Sequence, residues 1–309
     1  MYSSPWWLPG GHLQTIYASL RPPPRVPLQR ERWEAPDGDF IDVDFAGDVV
    51  APRRLVLFHG LEGSSDSHYA RAIAAHFSAQ GWRIALVHFR GCSGEPNRRP
   101  RAYHSGDTEE IDWVLRRFKH PVHAAGISLG GNALLKWLGE RGEQAAALVR
   151  RAAAVSAPID LSAAGRALDR GLNRLLYTKH FLSTLKPKSL AKLEMFPGIY
   201  DASTVRKART FREFDDVVTA PLHGFRDVDH YWSAAASAPY LERIRVPTLL
   251  LNARNDPFLP EHALLAATRK AAPCVLLEFP RTGGHAGFLA APFPGRPWLP
   301  QRLMEFLQQ

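Results

Sequence analysis

The apolar side chains fall into a run of short strands separated by amphipathic helices. Arg53-Arg54-Leu55-Val56-Leu57-Phe58 and residues 82–89 are apolar stretches bounded by turn residues, the pattern of strands buried on both faces. Between them Ala70, Ile73, Ala74 and Phe77 recur at helical spacing, which predicts a helix over 67–80. Two earlier strands are predicted around 30–34 and 40–45, parted by the Asp37-Gly38 turn. A short helical piece over 11–17 precedes them, and a helix over 107–118 follows. Beyond these, Pro121 to Ile127 reads as a strand leading into a helix, and Ala152-Ala153-Ala154-Val155-Ser156 as a weak strand. A strand over 246–251, a helix over 261–270, a strand over 274–279 and a terminal helix over 299–308 complete the series. Strands alternating with helices predict an α/β protein with a mainly parallel sheet covered on both faces.

The alternation stops between 158 and 240, where no strand is convincing. There Leu168, Leu172, Leu175 and Leu176 form one stripe, while Arg166, Arg170 and Arg174 lie on another side. The expectation is a core of residues 1–157 and 241–309 with a helical cap inserted at 158–240. The cap's leucines and aromatics are expected to roof a pocket and bind acyl chains.

Charge sharpens this division. The 309 residues have a net charge of +9, and residues 160–212 hold eleven basic against four acidic side chains. No nucleic-acid motif accompanies the charge, so a solvated helical face is the preferred reading. Peripheral contact of the basic cap with an anionic membrane surface stays open beside it. No apolar run approaches the roughly 20 residues that span a bilayer. The N-terminus lacks a secretory pattern, and two cysteines, Cys92 and Cys274, suit a reducing compartment, so a cytoplasmic protein is expected.

The candidate chemistry centres on Gly126-Ile127-Ser128-Leu129-Gly130, between a strand and a helix. A sharp strand-to-helix turn lifts a serine hydroxyl clear of a sheet, next to the positive end of a helix. Serine is a weak nucleophile and needs an imidazole base oriented by a carboxylate. In this fold the chain order is Ser, acid, His. Asp256 stands after the strand at 246–251, and His285 after the strand at 274–279, in Thr282-Gly283-Gly284-His285. The rival acid is Asp160; Asp215 and Asp216 read as capping or structural. The oxyanion donors are assigned to the N–H groups of Leu129 and of Leu61, in the His59-Gly60-Leu61 turn. Zinc spacings and phosphate loops are lacking, so other chemistries are poorly supported, and Cys92 reads as a small apolar filler.

With these residues in place, the chain resembles the α/β-hydrolase superfamily, and within it the YheT-like branch that includes animal abhydrolase-domain lipid esterases. Gly11-His12-Leu13-Gln14-Thr15, His59-Gly60-Leu61-Glu62-Gly63, Arg90-Gly91-Cys92-Ser93-Gly94, His104-Ser105-Gly106-Asp107 and Thr210-Phe211-Arg212-Glu213-Phe214-Asp215-Asp216 carry the resemblance beyond the serine motif. It implies cofactor-free hydrolysis of carboxylic or lipid esters; a thioesterase or acyltransferase would use the same three residues. Where the family usually has Asp-Asp-Pro, this chain has Asn255-Asp256-Pro257, which leaves Asp256 as the acid.

Overall fold

The structure is a computed structural model and describes residues 2–309. Eight strands form one sheet: β1 (Gln29–Glu34), β2 (Phe40–Ala46), β3 (Arg53–Phe58), β4 (Trp82–Val87), β5 (Val122–Ile127), β6 (Val149–Val155), β7 (Thr248–Leu251) and β8 (Val275–Glu278). Their spatial order is β1-β2-β4-β3-β5-β6-β7-β8. β1 and β2 pair antiparallel, as do β2 and β4; every later pair is parallel. The central strands β3, β4, β5, β6 and β7 are almost wholly buried. Their near-continuous apolar sequence is what a sheet covered on both sides requires.

The helices that cover the sheet divide its core in two. Helices α3 (Thr108–Arg116) and α4 (Leu129–Arg141) pack on one face with Ile111, Leu134 and Trp137. Helix α2 (His68–Ala79) and the terminal helix Leu299–Leu307 pack on the other with Ile73, Phe77 and Leu303. The weak alanine-rich strand proves to be central: β6 lies between β5 and β7, and its small side chains fit beneath α4.

From α5 (Leu161–Leu168) to Arg243 the described chain is helical or turn, with no strand. These helices have their own small apolar clusters, one around Phe211, Tyr231 and Trp232 and another around Leu182, Phe214 and Val218. One expectation is corrected here. Leu172, Leu175 and Leu176 are exposed rather than turned inward. A helical turn from Gly171 to Thr178 buries Tyr177 and Thr178 and leaves those three leucines outside.

Helix α1 (Gly11–Leu20) crosses the end of the sheet where the parallel strands finish. It buries Gln14, Thr15 and Ala18.

Candidate active site

Ser128 follows directly on β5 and begins α4 with φ 53° and ψ −119°, a conformation L-residues rarely adopt. Its neighbours make this tolerable. A Cβ on Gly126 would strike the Gly130 carbonyl, and one on Gly130 would stand 2.5 Å from the carbonyl oxygens of Phe58 and His59. The turn is tied to both adjoining strands: Ser128 N–H donates to Val155 O at 2.8 Å, and Gly130 N–H to His59 O at 3.1 Å.

The turn after β3 lies against the serine, since a Cβ on Gly60 would be 3.1 Å from Ser128 Cβ. His59 holds this turn. Its Nε2 accepts from Phe89 N–H at 3.1 Å, so Nδ1 bears the proton and donates to Gly60 O at 2.7 Å. Burial drives the His59 pKa down to about 3, keeping it neutral. Gly63 N–H also donates to Gly60 O. In a trans peptide C=O and N–H point opposite ways, so fixing the Gly60 carbonyl turns Leu61 N–H outward from those bonds. By the same geometry, Ser128 O accepts from Asn132 N–H inside α4, and Leu129 N–H points back out of the helix start. Neither N–H finds an acceptor among the described residues.

Asp256 and His285 meet beyond β7 and β8. The imidazole Nδ1 lies 3.0 and 3.2 Å from the two carboxylate oxygens, with both side chains largely buried. Asp256 Oδ1 also takes Phe258 N–H at 2.8 Å, which stiffens the acid's loop. Phe258 then stacks on the imidazole, with centroids 3.8 Å apart. Asp160 is used differently: it caps α5 by accepting from Ala163 N–H and has no imidazole partner.

The histidine loop is held almost entirely by side chains, and this was not foreseen. His285 N–H donates to Thr15 Oγ1 (2.8 Å), Gly283 N–H to Gln14 Oε1 (2.8 Å) and Gly284 N–H to Asn255 Oδ1 (3.0 Å). Asn255 Nδ2 in turn donates to Gln14 Oε1 at 3.0 Å. Ala286 N–H reaches Ser156 Oγ at 2.9 Å, one residue past the strand end that receives Ser128 N–H. The Gly11–Thr15 motif, visible in the sequence but without a role there, is the cradle of this loop. Asn255 accepts through its oxygen and donates through its nitrogen, which two carboxylates in sequence could not do.

Ser128 and the turn at Leu61 border a cavity of about 500 Å³, and Phe258, which stacks on His285, reaches it too. Leu61, Ser128, Leu129 and Phe258 line it from the sheet side, and Phe181, Phe211, Gly165 and Trp232 from the helical side. His104 also faces it. Its Nδ1 accepts from Gly106 N–H at 3.2 Å, leaving the proton on Nε2, and burial lowers its pKa to about 4. The Cys92 thiol lies on the same wall, pushed up to about 12 by burial, the state of an inert thiol. Asp215 accepts from Trp232 Nε1–H at 2.8 Å and from Thr219 Oγ1–H at 2.7 Å; burial raises its pKa to about 6. Asp216 takes Val228 N–H. Lys188 reaches down from the helices to Glu62, next to Leu61, at 2.9 Å.

The chain matches the family model described as "alpha/beta hydrolase fold" over residues 53–292. It is 38% identical to a protein named putative esterase YheT from Escherichia coli, over 96% of this chain and 89% of that one. A mouse protein named phospholipase ABHD3 is 31% identical over 94% of this chain and 72% of its own. Among solved structures, an esterase from Exiguobacterium antarcticum superposes with a TM-score of 0.59 at 17% identity, covering 91% of this chain and all of that one. The strand order, the serine turn after β5 and these similarities together make the chain an enzyme of the α/β-hydrolase fold family, related to YheT and the ABHD3 lipid hydrolases.

Proposed function

We propose that the protein hydrolyses carboxylic esters of short to medium acyl chains, lipid esters among them, through Ser128, His285 and Asp256. Ser128 Oγ attacks the ester carbonyl while His285 Nε2 takes its proton; Asp256, hydrogen-bonded at Nδ1, holds the ring in that tautomer. The oxyanion receives the N–H groups of Leu61 and Leu129, each such donor being worth about 2.7–4 kcal/mol in the transition state. His285 then protonates the departing alcohol, and a water it activates releases the acid from Ser128.

The observation on which this rests is the pair of unpartnered N–H groups, each on a fixed peptide plane, flanking the strained Ser128. The relatives' names point to esters and phospholipids, and a mostly apolar cavity of about 500 Å³ suits an acyl chain. In this reading residues 158–240 act as the cap, with Phe181, Phe211 and Trp232 against the acyl chain.

The test is labelling with a fluorophosphonate, alongside a panel of esters and thioesters of graded length. Wild type should be labelled and should prefer oxygen esters; Ser128→Ala should do neither. Equal labelling of the two proteins would overturn the assignment.

A further inference from the structure

Two helical segments turn apolar side chains to solvent side by side. On α1, Leu13, Ile16, Tyr17 and Leu20 recur at i, i+3, i+4 and i+7; Leu13 and Leu20 are 53% and 77% exposed. The turn from Gly171 to Thr178 presents Leu172, Leu175 and Leu176, with Leu175 68% exposed. The segments touch where His12 Nδ1 meets Tyr177 OH at 3.0 Å with the rings stacked. Beyond α1, Trp7 packs edge-on against Tyr17 and Phe293, and Trp6 beside it is 91% exposed. Scattered exposed leucines need no explanation, but two adjoining helical faces with the same outward period do.

Charge selects the occupant. Residues 2–28 contain Arg21 and Arg25 and no carboxylate. Around the leucines stand Arg170, Arg174 and Lys179, all exposed. The nearby Asp169 is spent on the N–H groups of Phe211 and Arg212. Apolar helix faces with Trp and Tyr at their edge and a cationic rim match an interface of acyl chains and anionic headgroups. A protein partner with an acidic rim would fit the same charge and aromatics, and co-sedimentation with protein-free vesicles separates the two. No helix among the described residues is long and apolar enough to cross a membrane, so the contact would lie in the interface.

We propose that this face, α1 together with residues 171–179, docks the protein on anionic lipid bilayers. The opposite side of α1 is the one that holds the His285 loop, so docking places α1 between that loop and the lipid. The proposal goes beyond the hydrolase reading and depends on it only for a kinetic control.

The experiment is co-sedimentation with vesicles of phosphatidylglycerol and phosphatidylcholine, against vesicles of phosphatidylcholine alone, with melting curves as a check on folding. Wild type should bind the anionic vesicles about tenfold or more tightly, and weaken as salt rises. Leu172→Glu/Leu175→Glu should lower that binding about tenfold or more and leave hydrolysis of a water-soluble short ester unchanged. Arg170→Glu/Arg174→Glu should bind less and lose most of the salt dependence. Equal binding by wild type and the leucine variant, or no binding by wild type, would overturn the proposal. So would light scattering that shows a wild-type dimer dissolved by the leucine substitutions. Ser128→Ala should bind as wild type does, so a failure of the hydrolase reading leaves this result standing.

Discussion

The sheet edge and the helices above it are secured by different forces. At the edge, hydrogen bonds from side chains fix single peptide planes: Thr15, Gln14 and Asn255 hold the histidine loop, and His59 holds the turn before Leu61. The helical layer packs around two small apolar clusters, and polar links such as Lys192 to Asn97, Ser105 N–H to Tyr231 OH and the Lys188–Glu62 ion pair join it to the core. Such an ion pair is half exposed and adds at most about 1 kcal/mol. Hydrogen bonds fix direction, as bond-making requires. Apolar packing fixes volume, as accommodation of a chain requires.

Substitutions should therefore affect rate at the edge and selectivity in the helices. Ser128→Ala should lower kcat at least about 10⁴-fold with the melting temperature intact. Thr15→Val leaves His285 N–H without its acceptor, costing about 1–3 kcal/mol. If that appears in positioning, kcat falls about 10–100-fold with KM nearly constant, and Thr15→Ser restores it. An unchanged kcat would remove the cradle from the comparison. In the helical layer, a Cβ on Gly165 would run into the Trp232 indole, so Gly165→Ala should drive that ring into the cavity. The expected result is a preference moved about tenfold toward shorter acyl esters, with kcat on the shortest barely altered.

The two regions should also answer pH with opposite sign. The His59 pKa falls to about 3 in the fold, so between pH 6.5 and 3 the unfolded chain takes up a proton that the folded one refuses. Stability present above pH 6.5 is lost on acidification, by about 1.4 kcal/mol per unit across that window. His59→Gln should be less stable at pH 7 and flatten this slope in thermal melts. Asp215, raised to about 6, binds its proton more tightly folded than unfolded. Its contribution is present below pH 3.8 and lost as pH rises through 6, so its charge works against the helices at neutral pH. Asp215→Asn should raise stability at pH 8 by about 1 kcal/mol and change little at pH 4. A loss at pH 8 would mean that the bonds from Trp232 and Thr219 outweigh the buried charge.

Much of the fold was legible because strand and helix periods are local properties. The serine turn was legible because only glycine fits two residues either side of it. The outward leucines were misread because a periodic stripe says that residues share a face, not which way the face turns. Phe258 gave no signal at all, since stacking on an imidazole needs two loops to meet.

By itself, then, the sequence determined the alternating α/β order and the serine turn, and set Asp256 and His285 just past the last two strands of the sheet. Those follow from backbone sterics and local hydrophobic spacing. Tertiary structure alone decided that Gln14 and Thr15 hold a loop some 270 residues away, that Asn255 bridges the two, and that Leu172 and Leu175 face solvent. Each depends on the directions in which distant backbone groups point after the sheet has closed around its core, and no spacing along the chain records a direction in space.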